Sequence, residues 1–316
     1  MTGEKNGFPE AATLSGFAQK LLRILGFRVK GPNAPGQSER DTRPATPRVD
    51  RPNTAERSLP AQWQVGIGYS TGRQRQHNED TAFALTANLL SNATSIPFGL
   101  YIVADGMGGH QHGEVASSAA VRTMANYVIE KLYSKIFYQP DSGQIDSIQQ
   151  IMRDGIQAAH QAIIRQVQGG GTTLTALLLL EDSMTLAHVG DSRAYTVSPA
   201  GQLNLLTRDH SLVKRLVELG QISSEEAAVH PQRNVLYRAL GQGEPVNAEV
   251  ISMPIPADGH LLLCSDGLWG VLSEGDLLKI ITASNDPVQT CQSLIQAANE
   301  AGGPDNITAI LIRLPA

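Results

Sequence analysis

One stretch constrains this chain more than any other: Val103-Ala-Asp105-Gly106-Met107-Gly108-Gly109-His110. An apolar run from Leu100 to Ala104 ends in a carboxylate, glycines at 106, 108 and 109 follow, and sequence of helical character comes next. That pattern reads as a strand delivering an acid to a sheet end, then a turn that bends sharply or lets backbone approach closely. A strand end fixes a carboxylate better than a loop does, and metal sites need that fixity. A single apolar run ending in Asp-Gly is common, but this chain has a second, Leu261-Leu-Leu-Cys-Ser-Asp266-Gly267. Pro304-Asp305-Asn306 then leads straight into the apolar run from Ile307 to Ile312. Acids at the edges of separate strands are what a site for hard divalent cations requires.

The charge balance supports that reading. The formal net charge of -5 hides an asymmetry: residues 1–60 hold 10 basic and 6 acidic side chains, and the remainder holds 15 and 24. An acidic body does not suit nucleic acid as a partner, whereas it does suit carboxylates gathered around cations. Cys264 and Cys291 are far apart in apolar surroundings and read as reduced core thiols. No apolar run reaches the roughly 18 residues of a membrane span, and Glu4, Glu10, Lys20 and Arg23 break any signal-peptide order, so a cytoplasmic protein is expected.

Residues 1–61 divide in two. Within 1–30, Leu14, Phe17, Ala18, Leu21 and Leu25 recur at helical spacing, with Lys20 and Arg23 elsewhere on the wheel. Such a basic amphipathic helix packs on its own domain, stays unfolded, docks on a partner, or lies on an anionic membrane as a peripheral tether. Residues 31–61 are rich in Pro, Arg and Thr with almost no apolar content, the composition of a disordered linker. The folded body is expected over 62–316. Strands are predicted over 63–69, 81–85, 98–104, 172–180, 184–197, 202–207, 248–253, 260–264 and 307–314. Helices are predicted over 113–132, 145–166, 211–228, 274–282 and 287–301. Runs of strands followed by runs of helices argue for an α+β fold of packed antiparallel sheets with helices outside.

The acids at predicted strand edges are Glu79, Asp80, Asp105, Asp191, Asp266 and Asp305. Each alone would read as a turn or cap residue. Gathered at one sheet end, like charges repel unless cations neutralise them. Two divalent ions about 3.5–4 Å apart could share one carboxylate and one water, whose pKa they would lower. Arg75, four residues before Glu79, suits a planar, bidentate grip on phosphate. His188 reads as a packed histidine, and His77, His210 and His230 lack the thiolates of a zinc set. Gly169-Gly170-Gly171 lacks the Lys of a nucleotide-binding loop.

Six ordered motifs carry a resemblance. They are Arg75-x-x-Asn78-Glu79-Asp80, the Asp105 stretch, Gly171-Thr172-Thr173, Val189-Gly190-Asp191-Ser192-Arg193-Ala194-Tyr195, Ser265-Asp266-Gly267-Leu268-Trp269 and Gly303-Pro304-Asp305-Asn306-Ile307-Thr308. Together they resemble the metal-dependent type 2C Ser/Thr protein phosphatases over about residues 62–316. Asp-Gly-Met-Gly-Gly and Thr207-Arg-Asp209-His210-Ser211, with Asn234 and Arg238-Ala-Leu-Gly241 further on, are similar to the bacterial branch.

The resemblance implies a four-layer αββα sandwich with two central antiparallel sheets and two Mn²⁺ or Mg²⁺ ions at one end. It implies that Asp105 bridges the ions, that Glu79 and the Gly106 carbonyl serve one, and that Asp266 and Asp305 serve the other. Arg75 would hold the substrate phosphate, and a hydroxide shared by the ions would attack phosphorus in line without a phosphoenzyme. Asp80 and Asn306 would orient ligands or water around that set. Residues about 208–246 would form a flap beside the site. A third ion would use Asp191 and Asp266, and it is expected to be weak because Gly270 stands where many relatives carry a further Asp. Met107 occupies the position of a proposed general-acid His in eukaryotic relatives; His110 is the candidate for that role, with a water as its alternative. The implied substrates are phosphorylated proteins, with a counteracting bacterial Ser/Thr protein kinase and a monomeric enzyme. The reading from a different class is a non-catalytic scaffold or binding domain of the same fold, which usually lacks one or more metal carboxylates.

Overall fold

Period-2 alternation in four apolar runs explains the architecture of the computed structural model, which describes residues 63–91, 94–108, 111–137, 147–167, 169–243 and 245–315. In strand β12, Ile307–Leu314, Ile307, Ala309 and Leu311 join one buried cluster while Ile310, Ile312 and Leu314 join another. Strand β11, Gly259–Cys264, divides the same way, with Leu262 and Cys264 on one side and Leu261 and Leu263 on the other. Alternating faces that are both apolar are the mark of strands covered on both sides. β3 (Thr94–Ala104) and β6 (Leu174–Leu180) repeat the pattern: Leu100, Ile102, Leu174 and Ala176 face one cluster, and Tyr101, Val103, Leu177 and Leu179 the shared one.

The shared cluster lies between two five-stranded antiparallel sheets. One has the order β1-β12-β11-β8-β9, with β1 Gln64–Ser70, β8 Arg193–Val197 and β9 Leu203–Leu205. The other has the order β10-β7-β6-β3-β2, with β2 Thr81–Ser91, β7 Ser183–Val189 and β10 Glu249–Pro254. A short pair, β4 (Gly106–Met107) and β5 (Gly171–Thr172), stands apart.

Helices α1 (Gln111–Phe137) and α2 (Ile148–Gln166) cover the second sheet through Ala116, Ala120, Met124, Met152, Ile156 and Ile163. The Ser147 side chain starts α2 by accepting the Gln150 N–H. At Gly155 a Cβ would come within 2.6 Å of Met124 Sδ, so glycine permits the close helix crossing. Two short helices, α3 (Leu212–Glu218) and α4 (Ser224–Ala228), occupy the expected flap. The one-turn helix α5 (Asp266–Trp269), then α6 (Glu274–Thr282) and α7 (Pro287–Glu300), cover the first sheet through Leu268, Leu277, Ile281 and Leu294. The layers are therefore helix, sheet, sheet, helix, as expected. Cys264 and Cys291 are buried free thiols, both pushed up to about 12 by burial.

Several boundaries differ from the sequence reading. The predicted strand over 184–197 is two strands in different sheets, β7 and β8, separated at Gly190-Asp191-Ser192. Gly190 has φ +111°, a conformation that ends the strand and that side chains rarely adopt. The predicted strand over 172–180 is interrupted at Thr173, and the helix over 211–228 is divided by Gly220, with φ +67°. The expected amphipathic helix and linker lie outside the described residues. Among the described residues no helix is long and apolar enough to cross a membrane.

Candidate active site

Strand ends and tight loops from both sheets converge on a cleft of about 210 Å³. Its walls include Arg75, Glu79, Asp105, Gly106, Asp191, Asp266 and Asp305, so the structure brings together all of the principal residues expected from sequence. Asp80 and Asn306 stand behind this wall. His110 lies outside the described residues, so the structure says nothing of it. Met107, Gly108, Thr173, Asn234 and Leu236 complete the lining.

The backbone of Asp105 is clamped from both sides by the Gly171-Thr172-Thr173 segment. Its N–H donates to Thr173 Oγ1 at 2.9 Å, and its carbonyl accepts from Thr173 N–H at 2.9 Å and Thr172 Oγ1 at 2.8 Å. The same segment reaches the Asp191 loop through a 2.7 Å bond between Thr173 Oγ1 and Ser192 Oγ. Glycine is required next to Asp105: a Cβ on Gly106 would come within 2.6 Å of the Glu79 carbonyl, which accepts the Gly106 N–H. Glu79 also needs room, since a Cβ on Gly113 would lie 2.5 Å from one of its carboxylate oxygens.

Asn306 ties the two loops that carry Glu79 and Asp305. Its Oδ1 accepts the Glu79 N–H at 2.8 Å, while its Nδ2 donates to the carbonyls of Thr71 at 3.0 Å and His77 at 2.9 Å. Arg75 Nη2 donates to Asp305 Oδ2 at 2.7 Å, which raises the guanidinium pKa further. Trp269 Nε1 donates to the Asp191 carbonyl at 3.1 Å, so the end of α5 braces the third acidic loop.

Electrostatics set this cleft apart. Burial is the main cause of raised carboxyl pKa values at Asp80 (about 7), Asp191 (about 8) and Asp266 (about 6), and neighbouring carboxylates add to it. Asp105 is likewise held well above the usual carboxylate range, by burial and then by Asp80, Asp266 and Asp191. Asp266 Oδ1 and Asp80 Oδ1 are buried without a hydrogen-bond partner, although Asp80 Oδ2 accepts from Ser265 Oγ at 2.8 Å. Buried acceptors left unpaired amid like charge fit divalent cations and oppose any anionic ligand acting alone. Among the described residues, however, no three His, Cys, Asp or Glu side chains form a ready-made metal-binding group. Asp305 is turned to Arg75 instead.

Comparison with known proteins identifies the family. The sequence profile of Protein phosphatase 2C matches residues 67–311. The chain belongs to the protein phosphatase 2C family. It is 36% identical over 241 residues to the serine/threonine phosphatase stp of Listeria monocytogenes, covering 76% of this chain and 92% of that one. It is 32% identical to the protein phosphatase PhpP of Streptococcus pneumoniae, covering 68% and 85%. Among solved structures, the Mycobacterium tuberculosis serine/threonine phosphatase PstP/Ppp superposes with a TM-score of 0.67 at 31% identity, covering 81% of this chain and all of that one. The PstP catalytic domain in complex with two manganese ions gives 0.64 at 29% identity, covering 80% and 98%.

Within this member of the phosphatase family, His188 is the packed histidine expected from sequence. It is buried, bonded at Nδ1 to Thr175 Oγ1 (2.9 Å) and at Nε2 to the Arg208 carbonyl (3.1 Å), and burial lowers its pKa to about 3. Sequence reasoning quoted Thr172 and Thr173 as a motif without a role; their clamp on Asp105 supplies one. Leu236 carried no sequence signal of its own, although Pro231 and Asn234 mark the turn just before it.

Proposed function

We propose that this phosphatase removes phosphate from phosphoserine and phosphothreonine side chains of proteins with two bound Mn²⁺ or Mg²⁺ ions. Arg75 and the buried carboxylates lining one cleft carry this reading. The donor set is all oxygen, which suits those ions, and the unpaired Asp266 oxygen is a point where a cation would be welcome. Glu79, Asp105 and the Gly106 carbonyl would hold one ion, and Asp105, Asp266 and Asp305 the other. Asp191 with Asp266 would hold a weaker third. When bound, the ions acidify a water for attack on phosphorus and neutralise phosphoryl charge.

The chain's own residues do the rest. Glu79 and Asp305 are presented on loops that Asn306 ties together, so their spacing is fixed before substrate arrives. Arg75 is half exposed beside Asp305 and offers a planar fork of donors to phosphate oxygens. Seating an anion there requires Asp305 to exchange its bond to Arg75 for another cation. His110 is the candidate donor of a proton to the departing serine or threonine oxygen. The substrates are then products of Ser/Thr protein kinases. A non-catalytic binding domain would not need this complete acidic set.

The test is Mn²⁺-dependent hydrolysis of a small aryl phosphate and of a phosphoserine peptide. The Asp105→Asn variant should lose at least about a hundredfold in rate, the scale of losing a central electrostatic contact. Full activity in that variant, or in the presence of excess chelator, would overturn the assignment.

A further inference from the structure

We infer that a second cavity beside the catalytic cleft is a subsite for an anionic side chain flanking the phosphorylated residue of the substrate. The inference rests on the phosphatase reading above and names a substrate preference for the same site. The cavity has a volume of about 380 Å³ and shares Asp191, Asn234 and Asp266 with the catalytic cleft. An extended peptide advances about 3.3 Å per residue, so a substrate whose phosphoryl group sits by Arg75 reaches this space within a few positions.

Its charge follows from which ions are already matched. Arg193 forms the inner wall, but Asp209 accepts from it twice, at 3.0 and 2.7 Å, and its guanidinium lies 3.5 Å over the Trp269 ring. That cation is satisfied and immobile. Arg208 and Arg215 nearby both pair with Glu218. Lys214 and Arg233 line the outer wall from residues 208–243, are exposed, and make no ion pair among the described residues. Asp191 and Asp266 on the shared wall are committed to the cations of the proposed function. What the cavity offers an incoming side chain is therefore two unmatched cations. The same cavity also has a small apolar surface from Val213, Val217, Ala227 and Ala228. That combination fits a carboxylate or second phosphate on an apolar stem, and it opposes Lys or Arg.

The experiment uses the full chain with Mn²⁺ and phosphoserine peptides that differ only in Glu or Lys at one of the nearest positions on either side. An exposed ion pair is worth up to about fivefold, so exchanging attraction for repulsion should give a Glu:Lys ratio in kcat/KM of about tenfold at one position. The ratio should shrink at high salt and invert in the Lys214→Glu, Arg233→Glu double variant. One enzyme preparation turns over both peptides, so any unfolded fraction cancels from the ratio. A ratio within about twofold at every position, or one that the double variant leaves unmoved, overturns the subsite. Failure to hydrolyse the peptides and an aryl phosphate alike overturns the phosphatase reading, and this inference with it.

Discussion

Replacing Asn306 with alanine would cut three hydrogen bonds at once and separate the loops bearing Glu79 and Asp305. The residue is 5% exposed, and its side chain makes one bond to an N–H and two to carbonyls, all between 2.8 and 3.0 Å. At a net 0.5–1.5 kcal/mol each, the three contribute about 3 kcal/mol. In a domain of this size that lowers the unfolding midpoint by roughly 6–12 °C. Asn306→Asp is expected to be no better: it keeps the acceptor for Glu79 N–H, loses both donors and adds charge beside Asp305. Mn²⁺ affinity should fall by about tenfold or more, because the two loops no longer hold their carboxylates in register. Denaturant unfolding without divalent ions and calorimetric Mn²⁺ titration read the two effects separately. A loss below about 1 kcal/mol with unchanged Mn²⁺ affinity would refute the idea that this side chain is the tie.

Other perturbations probe the remaining parts. Asp209→Ala leaves Arg193, 19% exposed, without its bidentate partner. It should cost about 3 kcal/mol in thermal unfolding, while Arg193→Met with Asp209→Leu should recover most of that loss. Gly190→Ala places a side chain at φ +111°, with its Cβ 2.6 Å from that of Thr173. It should lose about 1–3 kcal/mol of stability and weaken Mn²⁺ binding through the adjoining Asp191. Asp80, Asp105, Asp191 and Asp266 have raised pKa values, so the folded chain keeps protons that the unfolded chain releases. The stabilising contribution of Asp80, Asp191 and Asp266 is complete below about pH 4 and is lost as pH rises toward about 8, and Asp105 acts in the same direction. Saturating Mn²⁺ should remove or reverse that slope, as unfolding midpoints against pH with and without the ion will show.

How much of this was legible in the residues depended on whether the signal was local. The double alternation in β12 and β11 was visible as unbroken apolar runs, and the acids at their ends marked the cleft. The break at Gly190 was not legible, because Met184–Val189 and Arg193–Val197 are both apolar enough to extend one strand. Only the competition between two sheets decides that the chain crosses over there and turns Asp191 into the cleft. The clamp by Thr172 and Thr173 and the tie made by Asn306 were hidden for a related reason: their partners lie at separations of 67, 68 and 227 residues. Arg193 looked like an ordinary strand residue, since neither Asp209 nor Trp269 is near enough in sequence to reveal the stack.

Strand β12 has a consequence for biosynthesis. It lies between β1 and β11 yet follows both in the sequence, and the residue two before it is Asp305. A ribosome therefore releases every earlier segment before the middle of that sheet can be filled. Nascent chains should remain unable to dephosphorylate anything until this strand has left the ribosome, which makes catalytic competence a built-in readout of a filled sheet.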